Sequence, residues 1–304
     1  MAMTGNDTIS QHGFGDSQFN SASPRAVTAL LESRGIKPNK TLGQNFLIDG
    51  NTLALIADAA ELAPDAKVLE VGPGLGSLTE RLLARCAHVS AVEKDPALAA
   101  FLRERFARNP KLTVIEGDAL ECGIQDFFKS GAAHSLVSNL PYSVGTRVVV
   151  EAALGAIPPF SMTLLLQKEV AERFAAAPRT PDYGALSVRL QTLYEIRVVR
   201  KVPPTCFYPP PEVLSAIVTL RLRKVLPPHA AMLKLHALSK AAFLNRRKQL
   251  ASSMRDSSKM GHASDTIARP AEFIRDALLQ VGANPAARPE ELSVAQWGKL
   301  SEIW

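Results

Sequence analysis

Cysteine is scarce in this chain: three in 304 residues, at Cys86, Cys122 and Cys206, with no Cys-x-x-Cys pair. That excludes a disulfide scaffold and a thiolate zinc site, and it suits a reducing compartment, so a cytoplasmic protein is expected. The six histidines stand at no metal-ligand spacing from one another or from a cysteine, and no metal is expected. Long apolar runs are also missing. The richest, near Thr163 to Leu166, is flanked by polar residues and far shorter than the roughly 18–20 residues that span a bilayer, so no membrane partner is expected. Residues 1–22 contain no Lys or Arg and are rich in Gly, Ser and Asn, unlike a signal or transit peptide; a disordered tail is expected there. What is present is ample for a core: 46% of residues are hydrophobic and 21% charged. Lys plus Arg total 35 against 29 Asp plus Glu, and the net charge of +6 with a pI near 9.3 favours a polyanionic partner.

Helical spacing over Pro24 to Arg34 and Asn51 to Glu61 brackets an irregular basic segment, KPNKTLGQNFLIDG. The period then changes. Short apolar runs at Lys67–Val71, His88–Val92, Leu112–Ile115, Ser135–Ser138 and Met162–Leu166 alternate with amphipathic stretches such as Leu78–Arg85 and Ala97–Phe106. Alternation of this kind predicts a mainly parallel, doubly wound sheet. Glu195–Lys201 and Leu214–Arg223 are strand-like and joined by the proline-rich VPPTCFYPPPEV, which predicts an antiparallel hairpin closing the sheet edge. Beyond Val225 the β signals stop, and His229 to Trp304 reads helical with breaks around Ser257–Asp265 and Gly282–Pro289. The expected fold class is α/β: a Rossmann-like doubly wound sheet over 23–224 with a small all-helical C-terminal domain over 225–304.

Three loops at the carboxyl ends of consecutive strands carry the chemistry. The first, Glu70-Val-Gly72-Pro-Gly74-Leu-Gly76, turns sharply and bares backbone amides. Glu93 closes the second strand about 20 residues past the first glycine, the separation at which a carboxylate accepts from a ribose diol. Asp118 follows the third strand and is placed to accept from an exocyclic adenine amine. Together they describe an adenosine-bearing cofactor, NAD or S-adenosyl-L-methionine. The fourth strand ends in Asn139-Leu140-Pro141-Tyr142, with no acid, base or nucleophile, which suits amine methylation better than hydride transfer.

At these residues the chain resembles the KsgA-type small-subunit ribosomal RNA adenine N6-dimethyltransferases. The likeness is carried by LGQNFL at Leu42–Leu47, VLEVGPGLGSLT at Val68–Thr79, VEKD at Val92–Asp95, GDAL, NLPY, LLQKEVAERF at Leu165–Phe174 and YGALSV at Tyr183–Val188. It continues through F-x-P-x-P-x-V-x-S at Phe207–Ser215, AAFLNRRKQL at Ala241–Leu250 and RPEELSVAQW at Arg288–Trp297. Arg147 stands where the family commonly has proline, and the N-terminal tail has no counterpart. The resemblance implies a methyltransferase domain over 23–224, S-adenosyl-L-methionine as cofactor, and dimethylation of two adjacent adenosines near the 3′ end of small-subunit rRNA, coupled to ribosome maturation. It implies cofactor contacts at Asn45, Leu47, Gly72, Glu93, Asp118 and Asn139. For Asn45 and Leu47 only the match speaks. It implies Asn139, Leu140, Pro141 and Tyr142 as the catalytic turn and Phe207 as an aromatic ring opposite the tyrosine, stacking on the target base; the lesser alternative is that Phe207 anchors its loop in the core, with Tyr208 as the stacking ring. The partner implied is rRNA within a pre-assembled 30S-like particle, bound by a monomer. From Arg221 to Lys259 basic residues are opposed by Asp256 alone, so Arg221, Arg223, Lys224, Arg246, Arg247 and Lys248 are expected to bind RNA phosphates. An enzyme acting on another nucleic acid and a ribosome-assembly factor remain as alternatives.

Overall fold

The computed structural model describes residues 23–39, 43–259 and 269–304. The expected tail lies outside them, as does part of the helix break after Ser257. Helix α1 (Pro24–Ser33) begins where Ser23 accepts from the Ala26 amide and Pro24 supplies a preset first turn. After the two-residue strand β1 (Phe46–Leu47), Asp49 caps α2 (Gly50–Ala59) by accepting from the Thr52 amide. The wound part follows as β2 (Lys67–Val71), α3 (Ser77–Leu83), β3 (His88–Glu93), α4 (Pro96–Arg105), β4 (Leu112–Glu116), α5 (Ile124–Lys129), β5 (Ser135–Asn139), α6 (Gly145–Ala153) and β6 (Ser161–Gln167). Helices α7 (Lys168–Phe174) and α8 (Ala185–Leu193) lead to β7 (Tyr194–Val202), β8 (Phe207–Tyr208) and β9 (Ser215–Leu222). The chain closes with α9 (His229–Phe243), α10 (Leu250–Lys259), α11 (Ala271–Gln280) and α12 (Val294–Ile303).

The main sheet has the order β4-β3-β2-β5-β6-β9-β7, parallel from β4 to β6 and antiparallel at β9 against both neighbours. The expected doubly wound sheet and terminal hairpin are both present. Polarity decides which hairpin strand lies inside. Ala216, Ile217, Val218 and Leu220 of β9 are fully buried, whereas β7 carries Glu195, Arg197, Arg200 and Lys201 on an exposed edge. The sequence did not show the small second sheet, in which β1 pairs with β8, Phe46 opposite Tyr208 and Leu47 opposite Phe207.

Helices cover both faces. On one, Leu53 and Ile56 of α2 pack with Leu78 and Leu82 of α3 against Val68, Val89, Val137 and Ile217. On the other, Leu136, Leu164 and Val218 belong to a cluster that runs without a break into Leu235, Leu238, Leu278 and Trp297 of the terminal helices. The expected all-helical end is there, but it shares a core with the sheet layer. Strand order reverses between β2 and β5, and ligands of such sheets bind outside the carboxyl ends at that point.

Candidate active site

A cavity of about 240 Å³ opens at that reversal. Its wall contains Asn45, Leu47, Gly72, Glu93, Asp118 and Asn139, so the structure brings together every expected cofactor residue, with Leu140, Pro141 and Tyr142 beside them. Strand register explains the convergence: β2, β3, β4 and β5 end side by side, and each delivers its next loop to the same edge. Gly72 has φ +69°, and a Cβ there would meet the Pro141 ring at 3.0 Å. Glycine at this position therefore allows the first and fourth loops to touch.

The acidic residues differ in setting. Glu93 is 5% exposed and accepts from the amides of Gly74 (3.0 Å) and Asp95 (2.9 Å), while burial pushes its pKa up. A carboxylate has about four acceptor positions, so a diol can still be bound there. Asp118 accepts from the Lys94 ammonium at 2.7 Å and from the Leu120 amide at 2.9 Å; the lysine, chiefly, holds its pKa below the usual carboxylate range. Glu70 and Lys94 also line the cavity, though the sequence reading gave neither a role. Glu70 is 1% exposed, receives the Thr79 hydroxyl at 2.7 Å, and burial raises its pKa to about 8. The VEKD string was the one available signal for Lys94; its partner Asp118 is 24 residues away in sequence.

In the fourth loop the side-chain amide of Asn139 donates to the Asn45 carbonyl at 3.2 Å. That bond turns Oδ1 the other way, and neither Oδ1 nor the Leu140 carbonyl accepts a hydrogen bond among the described residues. The Pro141 carbonyl accepts from Val144 (3.1 Å) and Gly145 (2.9 Å), closing the turn into α6. The Tyr142 hydroxyl is hydrogen-bonded to Ser215 Oγ, at the start of β9, which fixes the ring's tilt.

Phe207 departs from the expectation of an open ring. It is 3% exposed and packs with Leu47, Leu53 and Ile56, outside the cavity wall, because the β1–β8 pairing draws it under the loop. Here it anchors the loop. Tyr208 packs beside Phe46 and Leu98 and is also outside the wall.

The expected RNA-binding cations divide. Arg221 donates to the carbonyls of Ala59 (2.6 Å) and Ala60 (3.1 Å) at the end of α2 and pairs with Glu61 at 3.3 Å. Arg223 donates to the Gln191 carbonyl at 3.0 Å and lies 3.7 Å from Glu195. Arg246 pairs with Glu290 at 2.7 Å and donates to the carbonyls of Pro181 (2.6 Å) and Thr180 (3.3 Å). Lys224, Arg247 and Lys248 are exposed. Charge and spacing selected all of these alike; the structure makes anchors of Arg221, Arg223 and Arg246.

A family model described as ribosomal RNA adenine dimethylase matches residues 35–277. Ribosomal RNA small subunit methyltransferase A of Phenylobacterium zucineum is 40% identical over 274 residues, covering 90% of this chain and 90% of that protein. The protein of the same name from Geobacter metallireducens is 38% identical over 275 residues, covering 89% and 97%. Among solved structures, the 23S rRNA methyltransferase ErmE aligns with a TM-score of 0.63 and 32% identity over 85% of this chain and 99% of that one. A dimethyladenosine transferase from Plasmodium falciparum aligns with a TM-score of 0.66 over 83% and 94%; at 22% identity it speaks for the fold alone.

Proposed function

The chain belongs to the ribosomal RNA adenine dimethylase family, and on that premise we propose where and how it performs the reaction. It is an enzyme that uses S-adenosyl-L-methionine to dimethylate adenine in small-subunit ribosomal RNA. Our reading places both ligands at the cavity between β2 and β5. The target is two adjacent adenosines near the 3′ end, presented by a pre-assembled 30S-like particle in the cytoplasm and met by a monomer.

The residues fit the cofactor by their acceptors: Glu93 would accept from the ribose diol and Asp118 from the adenine amine, with Asn45 and Leu47 on the near wall. The glycine amides of the turn are not free for its anionic end, since Gly72 donates to Val92, Gly74 to Glu93 and Gly76 to Pro73. Bound there, S-adenosyl-L-methionine supplies an electrophilic methyl group and leaves as a neutral thioether. The protein's task is to make a poor nucleophile react, since the N6 lone pair of adenine is delocalised into its ring. Asn139 Oδ1 and the Leu140 carbonyl accept the two N–H bonds and hold the nitrogen pyramidal. Pro141 fixes the turn that aims that carbonyl, and Tyr142, braced by Ser215, offers the base a stacking face. Positioning and electrostatics take the place of a general base, and the methylated nitrogen, far more acidic as a cation, releases its displaced proton to solvent after each transfer. For the second transfer the amine keeps one N–H and must rotate, which the neutral Leu140 permits. Phe207 can join the stack only by leaving its apolar cluster.

Residues 23–224 form the methyltransferase part and 225–304 a helical RNA-binding part, a division based on the change of architecture at a continuous core. Around the junction of the two parts Lys224, Arg247 and Lys248 are our phosphate contacts, with Arg221, Arg223 and Arg246 shaping the surface that bears them. The observation that carries the reading is the pair of open acceptors at Asn139 and Leu140 on the wall of this cavity. Transfer of label from S-adenosyl-L-methionine to undermethylated small subunits, compared with naked rRNA, tests it. Label on adjacent adenosines in the particle is expected; equal transfer to naked RNA overturns the particle, and label elsewhere overturns the target.

A further inference from the structure

Strand β7 is the outer edge of the main sheet, and its register links it to the catalytic loop. Asn139 lies opposite Leu165, Leu165 opposite Ile217, and Ile217 opposite Arg200, so one lateral row runs from the catalytic asparagine to the edge. Three strand spacings put Arg200 about 14 Å from Asn139 along the sheet. Because β7 runs parallel to β6, its carboxyl end lies at the same end of the sheet as the cavity mouth.

A bulge determines which side chains share a face. Arg197 is opposite Thr219, Val198 opposite Val218 and Arg200 opposite Ile217, which leaves Val199 as the extra residue. Simple alternation would put Arg200 on the face opposite Arg197; the inserted residue brings both to the α2 face. Ile217 packs there against Leu53 and Ile56, and the charge of Arg200 is felt at the neighbouring Cys206 thiol.

The acidic groups around this edge are already engaged. Glu195 faces Arg223 at 3.7 Å, Glu61 pairs with Arg221 at 3.3 Å, Asp58 with Arg85 at 2.7 Å, and Asp49 caps α2. Across the sheet, Lys201 lies 3.7 Å from Glu172. Arg197 and Arg200 are exposed and have no hydrogen bond or ion pair among the described residues. Two unpaired guanidinium groups on one face, in line with the acceptor turn, suit phosphates a few nucleotides from a base held at Asn139.

We infer that the β7 edge is a second RNA-backbone contact surface, in which Arg197 and Arg200 hold phosphates of the strand flanking the target adenosine. This rests on the RNA-methylating reading of the cavity and adds a surface outside the C-terminal helices. The test compares wild type with Arg197→Gln/Arg200→Gln and Arg197→Lys/Arg200→Lys, measuring affinity for undermethylated small-subunit rRNA across salt concentrations together with S-adenosyl-L-methionine affinity. The Gln pair is expected to lower the slope of log affinity against log salt by about 1.4–1.8, the yield of two phosphate contacts, with cofactor affinity unchanged and the Lys pair near wild type. A wild-type slope in the Gln pair overturns the surface, including the case where that variant self-associates through β7, which would make the charges guards of an open edge. A wild-type protein that neither binds nor methylates undermethylated small subunits overturns the reading of the cavity and this surface with it.

Discussion

The loops of the cavity and the basic surface were selected from sequence by different signals, and they fared differently in three dimensions. Every expected cofactor residue reached one cavity: Gly72, Glu93, Asp118 and Asn139 because each is tied to the end of a strand whose register fixes its position, Asn45 and Leu47 by way of β1. The basic residues share only their charge. Arg221 and Arg246 hold main-chain carbonyls, while Arg247 and Lys248 face solvent. A motif on a scaffold predicts location; a charge run predicts composition and leaves the partner of each cation open.

That difference is open to attack, beginning with the largest effect. Asn139→Ala removes one of the two acceptors, a loss of roughly 3–4 kcal/mol of transition-state stabilisation, so the single-turnover rate is expected to fall by about two to three orders of magnitude with RNA affinity within a few-fold. Phe207→Ala empties a buried site and is expected to cost roughly 3–5 kcal/mol of folding stability in a denaturant melt. A melt near wild type with impaired base engagement would instead show that the ring works outside its cluster.

Glu70 supplies a pH effect of up to a few kcal/mol. Its carboxyl ionises near 4.3 when unfolded and is pushed up to about 8 in the fold, so between these values the native state holds a proton that the unfolded chain releases. Stability is therefore expected to fall as pH rises from about 4 to 8, and Glu70→Gln is expected to flatten that fall in thermal melts at pH 5 and pH 8. Among the cations, Arg246→Ala leaves Glu290 and two carbonyls without their donor and is expected to lower stability by roughly 1–3 kcal/mol. Arg247→Gln/Lys248→Gln is expected to reduce the salt slope of RNA binding by about 1.4–1.8.

Much of this fold was legible because its inner strands are short runs buried on both faces and its helices carry caps and apolar stripes. The β1–β8 pairing was not, since two residues have no period to detect, and that pairing decides the burial of Phe207. In the site, the glycine turn, Glu93, Asp118 and the Asn139 turn were legible from their places after strands. The buried state of Glu70, the Lys94–Asp118 pair and the Tyr142–Ser215 bond were not, because each depends on a residue brought in by the fold.

The most direct measurement crosses the two regions. S-adenosyl-L-methionine and small-subunit rRNA affinities are measured for Asp118→Ala and for Arg247→Gln/Lys248→Gln. Losing an acceptor for the adenine amine is worth roughly 1.5–3 kcal/mol, so Asp118→Ala should weaken cofactor binding by about tenfold or more and leave RNA binding alone. The paired basic variant should do the reverse. Loss of both affinities in either variant would mean that the cavity and the basic surface are not the separate sites described.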